Sequence, residues 1–364
     1  MTRFRNYEAL RLPLDGRAVV LTGANGSGKT NLLEAVSFLI PGRGVRRARL
    51  SEVDRLNDGV SSGPWAVSAE VLGKLGETRI GTGRDGEAEG ERRLVRLDGE
   101  PARSQSALGD HFAVSWLVPS MDRLFQEGGT GRRKFLDRLV HAFDPEHASR
   151  LNKFEHAMRE RNRLLKEGRG EAAWLSALED TLANVGSAIA AARGSLVERL
   201  NRVVAQTEAP FPAAELTLDG AVDRWLEEMP ALAVEDRLRA AYEATRNHGD
   251  ADGPNRSDLV VRHVPKNMPA SHCSTGEQKA LLIGIVLAHA RLQAMEEGAA
   301  PVLLLDEVAA HLDAARRQGL FDAVLALGGQ AWFTGTDADV FQPLQGRAQF
   351  FDVADANVRA TSHD

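Results

Sequence analysis

"GANGSGKT" at residues 23–30 decides the fold of this chain. It fits the pattern Gly-x-x-x-x-Gly-Lys-Thr, in which glycines let successive backbone amides approach phosphate oxygens. The preceding "RAVVLTG" (17–23) is typical of a buried strand, and "KTNLLEAVSFLI" after it has the apolar period of a helix. Phosphate binding requires a loop placed between a strand and a helix in this way. We therefore predict a phosphate-binding loop rather than a flexible glycine turn.

A second half of the same site is predicted by "PVLLLDE" (301–307). Its apolar run indicates a strand buried on both faces of a parallel sheet, and ligands bind at the carboxyl ends of such strands. Two adjacent carboxylates there are costly unless a cation or a reaction uses them. We expect Lys29 to reach the β- and γ-phosphates and Thr30 to hold Mg²⁺. Asp306 is the candidate Mg²⁺ partner through water, and Glu307 is the candidate general base.

A third motif, "CSTGEQKALLIGIVLAHARL" (273–292), opens a long apolar helix and has two interpretations. Ser274 and Glu277 form a capping box, which would satisfy the free amides of an ordinary core helix. A Ser-x-Gly turn at a helix start is also an anion site. Its position shortly before the acidic strand matches the signature loop of ATP-binding-cassette (ABC) ATPases. In that class the loop completes the nucleotide site of a partner subunit.

The rest of the chain alternates between strand-rich and helical segments. "WAVSAEVLG", "ETRIGTG" and "RRLVRLDG" predict short strands of an antiparallel layer, "AVSWLVP" (113–119) a buried strand, and "RRKFLDRLVHAF" a helix. Long charged helices follow from residue 147, with "EGRGE" (167–171) as a turn. Apolar residues of the second helix keep a heptad spacing for about three repeats, which favours a compact helical hairpin: Leu175, Leu178, Leu182, Val185, Ile189, Ala192 and Leu196.

A polar linker, "NHGDADGPNRSD" (247–258), ends the helical segment, and buried strands and helices return after it. The fold class predicted is α/β: an ABC-ATPase-like P-loop head with a mixed sheet, split by a helical (α-hairpin) insertion. We expect the N-terminal part of the head over 1–146, the insertion over 147–250, and the C-terminal part of the head over 251–364.

Composition sets further limits on the class of protein. The chain has 364 residues, 43% hydrophobic and 26% charged, which is typical of a soluble globular protein. Its single cysteine, Cys273, excludes an internal disulfide and suits a reducing cytosol. The basic N-terminal residues are followed by no apolar run, and the longest apolar stretch is too short to span a bilayer. We expect neither a secretory signal nor a membrane partner.

The net charge of −6 does not exclude DNA as a partner, because affinity comes from local basic surface. Three basic clusters are candidates: Arg43, Arg46, Arg47 and Arg49; Arg132, Arg133, Lys134 and Arg138; Arg159, Arg161, Arg163 and Lys166. The first is as consistent with phosphate contact as with a plain loop, and the third is expected to be a solvated helix face. Aromatic residues make up only 5% of the chain, so we favour contacts to the duplex backbone over stacking on bases.

Together these segments resemble the RecF family of DNA replication and repair proteins. The resemblance rests on "RFRNYEALRL", "GANGSGKTNLLEAV", "RRKFLDRLV", "STGEQKALLIGIVLAHARL" and "LLLDEVAAHLDAARR", which are spread over nearly the whole chain. It implies a cytoplasmic, nucleoid-associated DNA clamp that dimerises when it holds ATP. The family binds DNA at single-strand/double-strand junctions, hydrolyses ATP slowly as a DNA-dependent switch, and acts with RecO and RecR to load RecA at gaps, in recombinational repair and the SOS response.

The resemblance also implies roles for single residues. Residues of the phosphate loop would bind ATP: Gly23, Ala24, Asn25, Gly26, Ser27, Gly28, Lys29 and Thr30. Thr30 and Asp306 would bind Mg²⁺, and Glu307 and Lys29 would act in hydrolysis. The γ-phosphate held by the other chain would be met by Ser274, Gly276 and Glu277, and Asp313 would lie at the dimer interface.

Two departures from the wider ABC class concern the γ-phosphate sensor and a metal contact. Thr334, Thr336 and Asp337 stand where ABC transporters carry a histidine, and Ser120 stands near the place of a metal-contacting glutamine. The alternatives are the ATPase subunit of an ABC transporter or another P-loop NTPase. Against a transporter subunit, the phosphate loop and the signature motif are much further apart than in that class.

Overall fold

The structure is a computed structural model that describes residues 1–86, 91–168, 171–206, 210–247 and 251–361. Residues 169–170 of the predicted turn and 248–250 of the predicted linker lie outside the described residues. The helices are α1 Lys29–Ser37, α2 Gly129–His141, α3 His147–Glu167, α4 Ala172–Val204, α5 Ala221–Glu228, α6 Ala231–Ala244, α7 Thr275–Glu297 and α8 Ala314–Ala326.

The strands are numbered in chain order. They are β1 Thr2–Phe4, β2 Tyr7–Ala9, β3 Ala18–Thr22, β4 Leu56–Asn57, β5 Val60–Ser61, β6 Ala66–Gly73, β7 Gly76–Arg84, β8 Arg93–Leu97, β9 Glu100–Pro101, β10 Val114–Leu117, β11 Ala214–Asp219, β12 Asp258–His263, β13 Met268–Pro269, β14 Val302–Leu305, β15 Ala331–Gly335, β16 Ala348–Ala354 and β17 Asn357–Thr361.

Two compact units share the chain. The first combines residues 1–121 with 290–364, and the second comprises residues 122–289. The head is thus built from two separated segments with a helical unit inserted between them, as predicted. The unit limits lie outside the predicted boundaries at 146/147 and 250/251, because α2 packs with α3, α4 and β12 of the second unit. The predicted boundaries, as limits of folding domains, stay a prediction.

A six-stranded sheet in the order β10-β14-β15-β3-β16-β17 forms the centre of the first unit. Its first five strands are parallel, and β17 joins β16 antiparallel. β3 is buried along its whole length, as its continuous apolar run predicts. The carboxyl ends of parallel strands meet at one edge of the sheet. The segments that follow β3, β14 and β15 therefore come together there.

An antiparallel sheet in the order β2-β1-β6-β7-β8-β9 is the second layer of this unit, which confirms the antiparallel layer predicted from the sequence. Its apolar face packs on α1 through the rings of Phe4, Trp65 and Phe38, whose centroids are 4.8–6.0 Å apart. Arg93 of β8 is buried and donates hydrogen bonds to the carbonyls of Phe38 and Gly42. A cation at this end of α1 offsets the negative end of the helix dipole.

The second unit contains the predicted helical hairpin. The heptad residues of α4 are buried or half-buried, and α3 and α6 pack against this helix. A three-stranded sheet, β11-β12-β13, accompanies the helices and had not been predicted. Asn201 of α4 bonds both backbone groups of Leu216, which fixes α4 to β11. Within the described part of the chain, none of the helices has the length and apolarity that crossing a bilayer needs.

The third basic cluster is the solvated helix face that we expected except at Arg161, since its other three members are exposed. Arg161 is fully buried: its Nε donates to Glu179 Oε1 at 3.1 Å, and its Nη2 donates to the Tyr242 carbonyl. Arg163, by contrast, is exposed and pairs with neighbouring glutamates. The expectation was wrong for Arg161 because its partners come from α4 and α6, which the sequence of α3 cannot indicate.

Candidate functional site

The phosphate loop leaves β3 and ends at α1, as predicted. Gly23, Gly26 and Gly28 have φ angles of 147°, 81° and 116°, a backbone region that other residues rarely adopt. A Cβ on Gly23 would lie 2.1 Å from the carbonyl oxygen of Val353, and a Cβ on Gly28 would lie 2.6 Å from the Tyr7 hydroxyl. Two of the three glycines are therefore required by contact as well as by conformation.

The loop has the polar groups that a bound anion needs. In the described part of the chain no side chain caps α1, so its first amides remain available to a ligand. The Lys29 ammonium is buried and donates to the carbonyls of Gly23 and Ala24, at 2.6 and 2.8 Å. Burial lowers the pKa of Lys29, and the nearby Glu307 and Asp306 counteract that shift. The Ser27 hydroxyl is buried without a hydrogen-bond partner among the described residues. These features fit a phosphate group.

Asp306 lies at the carboxyl end of β14, where the loop and the acidic pair meet. Its carboxylate accepts hydrogen bonds from the Thr30 hydroxyl at 3.0 and 3.1 Å and from the Thr334 hydroxyl at 2.7 Å. The structure thus brings together the two residues predicted to bind the metal. Within the described residues no cluster of three or more His, Cys, Asp or Glu could hold a metal ion. Thr30 and Asp306 themselves suit Mg²⁺, which is usually held by one or two protein ligands, water and substrate phosphates.

Glu307 follows directly and has an unusual backbone conformation. Its φ is 54°, in the left-handed region, and its amide donates to the Thr334 hydroxyl at 2.9 Å. Thr334 is itself buried near the end of β15. Sequence reasoning had noted Thr334 only as a departure from the ABC pattern and had missed its contacts with both acidic residues. These contacts depend on the adjacency of β14 and β15 in the parallel sheet, which the sequence alone does not indicate.

The signature motif lies in the second unit, at the start of α7. Ser274, Thr275 and Gly276 are exposed. The backbone amide and the hydroxyl of Ser274 both donate to the Glu277 carboxylate, at 3.0 Å each, and Lys266 pairs with the same carboxylate. Lys266 first, and Ser274 second, lower the pKa of Glu277 to about 2. Half of a capping box is therefore present, and the exposed turn leaves the anion-site interpretation open.

The remaining residues named from the sequence lie at the surface or cap a turn or a helix. Ser120, Thr336 and Asp337 are exposed, and Asp337 caps the turn after β15 through the Asp339 amide. Asp313 is the N-cap of α8, where it accepts from the Arg316 amide at 2.9 Å.

Two basic clusters are partly neutralised by acidic partners. Arg46 of the first cluster pairs with buried Glu34, which also binds Arg5, although all four arginines of the cluster are exposed. Arg132 of the second cluster forms a two-point ion pair with Asp258. A pair of this kind reduces what an arginine can offer to a phosphate.

Comparison with known proteins agrees with this geometry. Residues 1–342 match the family described as RecF/RecN/SMC N terminal domain. The chain is 51% identical to the DNA replication and repair protein RecF of Agrobacterium fabrum, over 99% of this chain and 97% of that one. It is 49% identical to the protein of the same name from Rhizobium etli, over 98% and 96% of the two chains.

Solved structures show the same fold. A structure of the recombination mediator protein RecF-ATPrS in the RecFOR pathway superposes with a TM-score of 0.85 at 22% identity, covering 99% of this chain and 96% of that one. The Smc head domain from Pyrococcus furiosus, solved with an extended coiled coil, gives 0.56 at 16% identity, over 99% and 94%. The predicted ABC-ATPase-like head is confirmed, and the transporter alternative is not favoured. With half of its residues identical to curated relatives over nearly its full length, the chain belongs to the RecF family of DNA replication and repair proteins.

Proposed function

We propose that this RecF-family chain is an ATP-dependent DNA clamp that hydrolyses ATP slowly and uses hydrolysis as a switch. The observation that carries the proposal is Asp306, held between the hydroxyls of Thr30 and Thr334 at the sheet edge where the glycine loop ends. Thr30 and Asp306 are the proposed Mg²⁺ residues, Asp306 acting through water. When bound, Mg²⁺ would neutralise charge on the β- and γ-phosphates.

The proposed hydrolysis uses groups that already converge on the loop. Lys29 exchanges the carbonyls of Gly23 and Ala24 for phosphate oxygens, and the loop amides bind the same phosphates. Glu307 orients a water whose oxygen forms a new bond to the γ-phosphorus, while the bond from that phosphorus to the ADP oxygen breaks. The water's proton passes to the Glu307 carboxylate. Lys29 neutralises negative charge as it moves to the leaving ADP.

We further propose that ATP joins two copies of the chain. The turn formed by Ser274 and Gly276 is exposed and opens α7, so a second copy could present its nucleotide to it. Ser274 would exchange the Glu277 carboxylate for the γ-phosphate, and Glu277 would then contact the same nucleotide at the edge of the turn. Exposed Asp313, at the start of α8, would lie at the interface.

The proposed substrate of the clamp is DNA at single-strand gaps and junctions, contacted through the duplex backbone. Arg43, Arg47 and Arg49 are exposed beside the phosphate-loop helix and supply the charge for such contacts. We place the protein with RecO and RecR in loading RecA, in the nucleoid of the cytoplasm. A relative's structure is described as belonging to the RecFOR pathway, which supports this assignment. Salt titration of duplex binding should give a steep log-affinity slope, and a flat slope would exclude backbone recognition.

Sedimentation velocity with MgATP, MgADP and gapped DNA in turn tests the proposal. The wild-type chain should pair only with MgATP. Lys29→Met should abolish pairing together with ATP binding, whereas Glu307→Gln should accumulate as a stable ATP-bound dimer because hydrolysis stops and binding survives. Wild-type chain that stays monomeric at concentrations where ATP is bound, with DNA present, would exclude the clamp.

Ser274→Arg separates the two interpretations of the signature motif. It should leave ATP binding by the monomer intact and prevent pairing, because the new side chain fills the exposed turn. Ser271→Arg is the matched control: Ser271 is also exposed, three residues earlier. Equal loss of ATP binding and pairing in Ser274→Arg would instead support a plain helix cap.

A further inference from the structure

Thr334 touches both acidic residues of the proposed hydrolytic site from a neighbouring strand. Its hydroxyl lies 2.7 Å from Asp306 Oδ1 and 2.9 Å from the Glu307 amide nitrogen. The residue is 1% exposed and belongs to β15, which pairs in parallel with β14, the strand that ends at the acidic pair. Neither the phosphate loop nor the signature motif includes it.

The direction of both hydrogen bonds follows from chemistry. A backbone amide can only donate, so the Thr334 oxygen accepts from Glu307. The hydroxyl proton is therefore free to point at Asp306, which as a carboxylate only accepts. One hydroxyl thus fixes the backbone of Glu307 and the carboxylate of Asp306 at the same time.

Each of the two bonds constrains a group that the reaction uses. Glu307 has a φ of 54°, and its amide bond to Thr334 holds the residue in that sparsely populated conformation. Asp306 accepts the Thr334 proton on Oδ1 and contacts the Thr30 hydroxyl through both oxygens. The bond to Thr334 therefore sets the rotation of the carboxylate that would face Mg²⁺.

We propose that Thr334 is a positioning residue for ATP hydrolysis, which holds Glu307 against the attacking water and Asp306 toward the metal. The inference rests on the proposed function, because it concerns the same site. Thr334 touches neither nucleotide nor metal in this scheme, and its effect passes through the two carboxylates. Loss of its hydroxyl should lower the rate of the chemical step much more than the affinity for ATP.

Thr334→Val tests this, since valine has the shape of threonine without the hydroxyl. In ATPase assays on the full chain, we expect kcat to fall about 10- to 100-fold, the range for a hydrogen bond to a charged group. KM for ATP should change by less than about threefold, and the Mg²⁺ concentration for half-maximal rate should rise severalfold. Thr334→Ser keeps the hydroxyl and should restore kcat to within about threefold of the wild type.

Thr82→Val is the matched control for removal of any buried hydroxyl. Thr82 is also buried, accepts from Arg93 and donates to the Leu94 carbonyl, and lies in the antiparallel sheet. It should cost stability and leave kcat unchanged. Thr334→Ala removes the same hydroxyl with less bulk, and it provides the measurement if the valine variant does not fold.

The results that would overturn the positioning role differ from those that would overturn the proposed hydrolysis. Unchanged kcat in Thr334→Val, a serine variant as slow as the valine variant, or a raised KM with normal kcat would each overturn the positioning role. A wild-type chain that binds ATP without ever hydrolysing it would overturn the proposed hydrolytic function, and the inference with it. A wild-type chain that hydrolyses ATP no faster than Thr334→Val would overturn the inference alone.

Discussion

His289 provides a quantitative test of the second unit's packing. The ring is 2% exposed on α7, donates from Nε2 to the Leu139 carbonyl at 3.0 Å, and meets the Phe143 ring edge to face. Its Nδ1 has no partner among the described residues. Burial lowers the pKa of His289 to about 4, despite the opposing effect of the Leu139 carbonyl. The histidine is therefore neutral in the folded chain at pH 7.

The sign of the pH dependence follows from linkage. Between pH 6.5 and pH 4 the histidine of the unfolded chain, with a pKa of about 6.5, is protonated, whereas the buried histidine of the folded chain stays neutral. The contribution of the neutral His289 ring to the free energy of unfolding is fully present above pH 6.5 and is lost as the pH falls toward 4. The difference in pKa corresponds to about 2 kcal/mol of lost stability at pH 5, and to about 3 kcal/mol below pH 4.

Replacement by leucine removes this titration and one hydrogen bond. His289→Leu should be about 1 kcal/mol less stable than the wild type at pH 7, because the Leu139 carbonyl loses its donor. At pH 5 the wild type has lost about 2 kcal/mol to proton uptake that the variant cannot undergo. The stability curves of the two proteins should therefore cross between pH 7 and pH 5.

Urea unfolding followed by circular dichroism at several pH values measures this crossing. Labelling of Cys273, the single cysteine and a buried residue of the same unit, gives a second probe of the transition. His156→Leu makes the same substitution at an exposed position of α3 and is the control. Parallel stability curves for wild type and His289→Leu across this range would refute the argument from burial.

Two further predictions concern the loop and the buried ion pair. Gly23→Ala should lower the free energy of unfolding by about 3 kcal/mol or more, because it combines a strained φ with a clash against a strand carbonyl. Gly26→Ala should lower it by only about 1–2 kcal/mol, from the strained φ alone. Equal losses for the two variants, in urea titrations followed by tryptophan fluorescence, would contradict the clash. Arg161→Met should cost about 2–4 kcal/mol, because Glu179 is left buried with one partner fewer. Arg163→Met, at an exposed position of the same helix, should be indistinguishable from wild type in circular-dichroism-monitored unfolding, and a similar loss in both variants would refute the role of burial.

Local sequence patterns predicted most of the secondary structure of the head. The phosphate loop, the apolar run of β14 and the period-2 strands of the second layer are each specified within about ten residues, so their elements were predictable. The meeting of Thr30 with Asp306 was predictable as well, because parallel strands bring their carboxyl ends to one edge. The helical hairpin followed from the heptad spacing of α4.

What the sequence did not reveal depends on partners distant along the chain. Thr334 contacts the acidic pair only because β15 lies beside β14, and a single threonine in an apolar strand gives no such signal. Arg161 looked like a surface residue because Glu179 and Tyr242 lie in other helices. The strand β11 went unnoticed because its short "AELTLD" alternation follows a long helical segment and precedes further helices.

The left-handed backbone of Glu307 has a consequence for engineering this protein. Glycine adopts that conformation without the penalty, so Glu307→Gly should raise the free energy of unfolding by about 1 kcal/mol while removing the carboxylate that we propose activates water. A selection for heat resistance alone would therefore enrich inactive chains at this position. Libraries built to improve thermal stability should keep residue 307 fixed, because a substitution that stabilises the fold at this position is expected to abolish hydrolysis.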